Sequence, residues 1–167
     1  RQAVYPAKFQ LVAAMNPCPC GYLGHPNKPC RCTPESVARY RSKISGPLLD
    51  RIDLTIEVPS LPAAELMQQQ AGESSADVLQ RVLAARDRQY ARQGKVNAAL
   101  SVTELDGAAN IEQEARDALG AMLEKLSRSA RSFHRIMRVA RTLADLADDD
   151  AVGRSHVLKA ISFRRAL

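Results

Sequence analysis

The stretch SARSFHRIMRVARTLADL, residues 129–146, decides the fold class because its apolar residues recur with the period of an α-helix. On a helical projection they gather on one face, which we expect to be core: Phe133, Ile136, Met137, Val139, Ala140 and Leu143. Arginines gather on the remaining surface: Arg128, Arg131, Arg135, Arg138 and Arg141. This arginine stripe is either a solvated surface or a site that recognises phosphate groups through guanidinium.

Three further helices are predicted around this one, so the sequence favours a mainly α fold with a C-terminal bundle of about four helices at 76–167. Their predicted ranges are 75–92, 111–126 and 155–164, and the helix at 129 should reach about Asp148. Ser74 or Ser75 and Ser155 are the expected N-caps, and Gly94 should end the first helix. That helix carries Val78, Leu79, Val82 and Leu83 on one side.

Residues 1–59 resemble the trailing part of an α/β domain. Residues 9–15 (FQLVAAM) and 54–58 (LTIEV) are predicted strands, and a helix should begin after Thr33 and end near Ile44. Two short strands and one helix cannot bury a sheet, so we expect their partner strands upstream of this sequence. Residues 60–75 are predicted to be a linker with one weak helix near 63–70.

All four cysteines lie within fifteen residues, as Cys18-Pro-Cys20 and Cys30-Arg-Cys32. No secretion signal is visible, and in a reducing, cytoplasmic compartment clustered thiols indicate metal ligands before disulfides. Four thiolates close a tetrahedral zinc site, whose role would be structural because no coordination position stays open. Reduced free thiols, an iron–sulfur cluster and disulfides remain alternatives, and His25 could replace one thiolate.

Asn16 and Arg51 each allow a functional and a purely structural interpretation. Asn16 follows a predicted strand, where α/β folds place ligand crevices, although Asn-Pro also makes a simple turn. Arg51 lies between Asp50 and Asp53, so it is either a local surface ion pair or a residue that projects into a neighbouring subunit.

The charge balance permits, without proving, a nucleic acid or phosphate partner. Lys and Arg total 24 against 18 acidic residues, a net charge of +6. The longest apolar run, residues 11–15, is far below the roughly 20 residues of a membrane span, so we expect no membrane partner.

Three segments follow one another in this order: LVAAMNPCPCG (11–21), GPLLDRIDL (46–54) and SARSFHRIMRVARTLADL (129–146). Through them the sequence closely resembles the magnesium-chelatase-like AAA+ ATPases of the ComM/YifB type. The resemblance implies a hexameric ATPase that uses ATP and Mg²⁺ and acts on DNA as a branch-migration helicase in competence. It also implies roles for three residues. Asn16 resembles sensor 1, Arg51 the arginine finger that acts on a neighbour's ATP, and Arg131 the sensor 2 residue of the lid.

One part of such an ATPase is missing from these 167 residues. They contain no G-x-x-x-x-G-K-[ST] phosphate loop and no acidic Mg²⁺-binding strand before Asn16. We therefore expect a C-terminal fragment that cannot hydrolyse ATP by itself. The alternatives are a zinc-stabilised DNA-binding module that uses the arginine helix, and the ATPase subunit of a true magnesium chelatase.

Overall fold

The structure, a computed structural model, describes residue 3, residues 9–60, residue 67, residues 72–125 and residues 130–164, with all side chains except those of 123–125 and 130–132. The helices in these ranges confirm the mainly α prediction. They are α1 (Pro34–Arg41), α2 (Gly46–Leu49), α3 (Ser75–Gln93), α4 (Val102–Ala108), α5 (Gln113–Lys125), α6 (Ala130–Ala147) and α7 (Arg154–Ser162), with a 3₁₀ turn at Asn97–Ala99.

The chain divides into two compact units, Arg1–Gly46 and Pro47–Leu167. The domain limits predicted at 59 and 76 stay a prediction. The weak helix predicted at 63–70 lies outside the described residues except for Met67. No described helix is both long and apolar enough to cross a bilayer.

The two strands predicted at 9–15 and 54–58 do not form, and no residue in the described ranges belongs to a strand. Residues 9–15 are exposed, and the Thr55 N–H donates to the carbonyl of Phe163 at 2.7 Å. A strand needs a neighbour to satisfy its backbone groups. These segments therefore stay irregular in the chain as it stands.

Helix α1 begins where the sequence predicts. The Thr33 side chain accepts a hydrogen bond from the Ser36 N–H at 3.2 Å, and Pro34 occupies the first helical position. The helix ends at Arg41, three residues before the predicted Ile44.

Helix α3 has the predicted caps but buries an unexpected face. Ser74 accepts from the Asp77 N–H, and Gly94 ends the helix in the left-handed region at φ 71°. Its predicted apolar side is largely exposed, including Val78, Leu79 and Leu83. The buried residues are instead Ala85 and Gln89, and Arg88 and Arg92 on the same side of the helix donate to Asp145 of α6.

Helix α4 was not predicted from the sequence, and the N-cap of α7 lies before the predicted Ser155. Ser101 and Glu104 form a reciprocal capping box at the start of α4, and this Ser-x-x-Glu spacing was the available signal. The N-cap of α7 is Gly153, whose N–H donates to His156 Nδ1 at 3.2 Å. The expected cap, Ser155, lies inside the helix.

Helix α6 is the centre of the bundle, packing against α3, α4 and α7, while α5 packs against α7. Its predicted core face is confirmed, since Ile136, Met137 and Ala140 are buried and Phe133, Val139 and Leu143 pack against the core. Other helices add Leu105, Ala115, Leu119, Val157, Ala160 and Ile161, and Ala109 is buried directly after α4.

A buried polar cluster joins α3, the 3₁₀ turn and α6. Its buried members are Gln89, Asn97, Arg141 and Asp145, and the partly exposed Arg92 donates to Asp145 from α3. The Asp145 carboxylate accepts from Arg92 Nη1 at 2.7 Å, Asn97 Nδ2 at 2.7 Å and Arg141 Nε at 3.1 Å. Burial alone would raise the pKa of Asp145, but the hydrogen bonds from Arg92 and Asn97 and the Arg141 charge outweigh it and lower the pKa.

Arg141 corrects the prediction of a continuous basic stripe. Its side chain is only 1% exposed, and it pairs with Asp145 one helical turn later. Its Nη atoms donate to the carbonyls of Asp150 at 2.8 Å and Asp149 at 2.6 Å. A buried guanidinium needs acceptors, and the chain that follows α6 provides them.

Candidate functional site

The cysteine loop, residues 17–32, brings its four thiols together. The Gly21 N–H donates to the Cys18 carbonyl at 3.0 Å, and Gly21 has a φ of 81°, which makes the tight turn through Cys18-Pro-Cys20-Gly21. The turn aims both sulfurs at Cys30. The Sγ atom of Cys18 lies 3.4 Å from that of Cys20 and 3.7 Å from that of Cys30, and Cys20 and Cys30 are 3.6 Å apart.

These distances fit a single metal ion. All four sulfurs, including that of Cys32, lie within 4.8 Å of one another. Four sulfurs at about 2.3 Å from a common tetrahedral zinc would lie about 3.8 Å apart. The cysteines are free thiols, so the cluster is not a disulfide pair. The donor set matches a structural zinc or another thiophilic metal, and the metal's identity stays a prediction.

The protonation of the four thiols is uneven. The backbone N–H groups of Tyr22 and Arg31 donate to Cys20 and lower the pKa of Cys20 to about 6. At Cys32 a hydrogen bond with the Cys20 backbone favours the thiolate, but burial and the neighbouring thiols disfavour it more strongly. The net effect raises the pKa of Cys32 to about 12. Zinc binds thiolates, so a metal bound by all four cysteines would release the protons of those that are thiols.

His25 is not a member of the cluster. Its Nδ1 atom accepts hydrogen bonds from the N–H groups of Asn27 and Lys28, both at 3.1 Å. Its ring also meets that of Tyr22 edge to face, with centroids 5.8 Å apart. The histidine thus shapes the loop between the two cysteine pairs.

Asn16 is exposed immediately before the cysteine loop. Its side chain lies beside Gly21, where an added Cβ would come within 3.8 Å of the Asn16 amide. The proposed sensor 1 residue therefore abuts the turn that carries Cys18 and Cys20.

Arg51 follows α2 and is exposed. Its Nη1 atom donates to the carbonyl of Pro47 at 2.8 Å, across the short helix that precedes it. Asp53, which the sequence suggested as an ion-pair partner of Arg51, pairs with Arg135 instead at 2.8 Å. This ion pair was not predicted, because residues 53 and 135 are far apart along the chain.

The arginine stripe is largely engaged within the protein. Arg135 Nη1 donates to the Arg51 carbonyl at 2.8 Å, and Arg138 Nη2 donates to the Leu100 carbonyl at 2.8 Å. Arg141 is buried, as described above. Arg131 lies in the first turn of α6, but its side chain and all of Arg128 lie outside the described residues.

Comparison with known proteins gives two consecutive family matches. The model described as magnesium chelatase, subunit ChlI, matches residues 1–66, and that of its C-terminal region matches residues 72–164. The chain is 48% identical over 162 residues to Uncharacterized protein YifB of Escherichia coli and 43% identical over 162 residues to Competence protein ComM of Haemophilus influenzae. Each alignment covers 96% of this chain and 31% of the relative, so the chain spans about a third of their length.

The two matches follow each other in the order of the family and together cover most of the chain. The cysteine loop and Arg51 fall within the first match, and α3 to α7 fall within the second. The chain therefore belongs to the magnesium chelatase family of AAA+-type ATPases, in which it is similar to YifB and ComM.

Proposed function

We propose that this chain is the C-terminal part of a hexameric AAA+ ATPase that couples ATP hydrolysis to DNA remodelling, such as branch migration. The observation that carries the proposal is the consecutive match to both magnesium chelatase models, at residues 1–66 and 72–164. The direction towards DNA comes from the similarity to a protein named for competence. The net charge of +6 is compatible with a polyanionic partner.

Three residues carry the ATPase roles in this proposal. Asn16 positions the attacking water as sensor 1, Arg51 stabilises the transferred phosphoryl group on the neighbouring subunit, and Arg131 reaches the same phosphates of its own subunit from α6. Phosphoryl transfer is catalysed mainly by positive charge and by orientation of the nucleophile, which suits an amide and two guanidinium groups. ATP and Mg²⁺ are the cofactors of the longer protein, and the sequence upstream supplies the phosphate loop.

The cysteine loop has a structural role in the same proposal. Cys18, Cys20, Cys30 and Cys32 would hold one zinc ion, which supplies a rigid crosslink for the turn that follows Asn16. A site with four protein ligands has no position for substrate, so it takes no part in hydrolysis.

ATP turnover of the longer protein tests the proposal. Arg51→Ala should lower kcat by roughly 10³–10⁵-fold while leaving nucleotide binding nearly intact, because the finger acts across the subunit interface. Arg131→Ala should weaken both binding and turnover. Arg39→Ala is a matched control, since Arg39 is an exposed arginine of α1. Full turnover in Arg51→Ala would remove the finger assignment.

The 167-residue chain alone should hydrolyse no ATP, because it lacks the phosphate loop. DNA-stimulated turnover and DNA unwinding by the longer protein test the DNA part. A ring that ignores DNA but drives Mg²⁺ insertion into a porphyrin would favour the second candidate, a chelatase motor subunit, which the description of both matching models suggests.

The stand-alone DNA-binding module is a weaker candidate. It requires the arginines of α6 to face a DNA backbone, whereas Arg135, Arg138 and Arg141 bind groups of this chain. Phosphate contacts make affinity fall steeply with salt, so DNA binding by the 167-residue chain at two salt concentrations tests it.

A further inference from the structure

Arg135 binds the backbone of the residue to which we assign the arginine finger. Its Nη1 atom lies 2.8 Å from the carbonyl oxygen of Arg51 and 2.8 Å from Oδ1 of Asp53. One guanidinium nitrogen thus holds the chain on both sides of Ile52. The Arg51 side chain is in turn anchored to the Pro47 carbonyl, so its direction follows the position of this backbone.

Two other contacts attach the segment around Arg51, residues 47–55, to the residues that follow α7. Arg164 Nη2 donates to the carbonyl of Asp50 at 3.3 Å, and the Thr55 N–H donates to the carbonyl of Phe163 at 2.7 Å. These contacts fix the two ends of residues 50–55 next to the C-terminus of α7. Arg135 holds the middle, where Arg51 lies.

The helix that supplies Arg135 also carries Arg131. The two arginines are four residues apart, about one turn of α6. A movement of α6 that follows the nucleotide through Arg131 would therefore also displace the backbone of Arg51.

We propose that Arg135 is a positioning residue for Arg51, which couples the direction of the finger to the lid helix of the same subunit. The inference rests on the proposed roles of Arg51 and Arg131 and adds a residue to which no role has been given. Through this link, the nucleotide state sensed by one subunit would set the finger that the subunit presents to its neighbour.

The exposure of the link separates this role from a purely structural one. The Arg135 side chain is 29% exposed and that of Asp53 is 55% exposed, and ion pairs this open to water contribute little to folding stability. Arg138, one turn along α6, donates to the Leu100 carbonyl within the bundle. Arg138 is therefore the matched control, with a similar contact that does not reach Arg51.

The test uses the longer ATPase with four single variants: Arg51→Ala, Arg135→Met, Arg135→Lys and Arg138→Met. Arg135→Met should lower kcat by about 10²-fold, the scale of a misplaced catalytic group, with KM for ATP unchanged. Arg135→Lys should recover most of the turnover, because an ammonium group can still donate to the carbonyl and the carboxylate. Arg138→Met should keep near wild-type kcat at temperatures where it stays folded.

Mixed rings identify where the defect acts. Arg135→Met subunits combined with subunits that still bind ATP but lack the acidic Mg²⁺-binding residue upstream should regain turnover, because some interfaces then pair an intact nucleotide site with an intact finger. Arg135→Met combined with Arg51→Ala should not regain turnover, because both subunits present a defective finger.

The outcomes separate this inference from the proposed function. Loss of turnover in Arg51→Ala together with normal turnover in Arg135→Met would overturn the positioning role and leave the finger in place. A raised KM for Arg135→Met without rescue in mixed rings would also overturn it, because the defect would lie in the subunit's own site. Normal turnover in Arg51→Ala would overturn both.

Discussion

The cysteine loop and the buried polar cluster both pack polar groups close together, and they differ in how those groups are satisfied. In the cluster, the Asp145 carboxylate is surrounded by donors of the same chain, including Arg92 and Arg141. In the loop, four sulfurs converge on one another, and thiolates so placed repel unless a cation joins them. The comparison indicates that the cluster is complete within the chain, whereas the loop is built for an added ion.

The largest expected effect breaks the loop. Cys30→Ser should abolish high-affinity metal binding and unfold residues 17–32, because structural zinc sites contribute about 10–16 kcal/mol of apparent binding free energy that the folded loop depends on. The bundle should keep its unfolding transition. Ser36→Ala, a change in α1 outside the cysteine set, is the control. A Cys30→Ser protein that binds zinc as tightly as the wild type would contradict the four-thiolate site.

The next effect breaks the cluster. Asp145→Ala leaves Arg141 buried without its carboxylate, so we expect a loss of about 3–5 kcal/mol in the free energy of unfolding of the bundle. Asp117→Ala on α5 removes an exposed carboxylate and should change stability by less than about 0.5 kcal/mol. Denaturant unfolding measures both. Equal, small losses in the two variants would show that the cluster contributes no more than a surface pair.

The pH dependence sharpens the same contrast. The pKa of Asp145 is lowered in the folded state, so its stabilisation is present above its unfolded pKa of about 4 and is lost as pH falls through the folded value. The stability difference between the wild type and Asp145→Asn should be constant above about pH 4 and shrink below it.

As pH falls, metal affinity of the cysteine loop should decrease at higher pH values than the Asp145 contribution does, because protons compete with the metal for the thiolates. Denaturant unfolding and metal titration at matched pH values separate the two regions. Coincident pH profiles would remove the distinction between them.

The smallest effect concerns a helix start in the bundle. Ser101→Ala removes the capping box of α4 and should cost about 1 kcal/mol, whereas Ser101→Asp keeps an acceptor for the Glu104 N–H and should cost less. Thermal unfolding of the two variants makes this comparison. A larger loss in Ser101→Asp than in Ser101→Ala would contradict the capping role.

Periodicity was enough to predict most of the bundle. The core face of α6 could be read from residues 133–143 because a long helix repeats its buried positions many times. Helix α4 was missed because it is only seven residues long and has one strong signal, the Ser101–Glu104 spacing. The predicted buried face of α3 was wrong, because Arg88 and Arg92 attach this helix to Asp145 and hydrophobic spacing does not report such polar contacts.

In the candidate site, too, features set by local sequence were predicted and features set by tertiary contacts were not. The convergence of the cysteines follows from two short pairs and a flexible spacer, so local sequence predicted it. The partners of Arg135 and Arg141 depend on tertiary contacts with residues 51–53 and on the chain after α6. An arginine on a helix projection has the same signature whether it faces water or a carbonyl, so only the structure could distinguish them.

Metal content and amide hydrogen exchange of the 167-residue chain, measured with and without a chelator, test the contrast between the two regions most directly. We expect one zinc ion per chain after purification without chelator, and its removal should abolish protection in residues 17–41 while α3 to α7 keep theirs. A chain that is free of metal as purified and still protects the cysteine loop, or a bundle that loses protection together with the loop, would contradict the account.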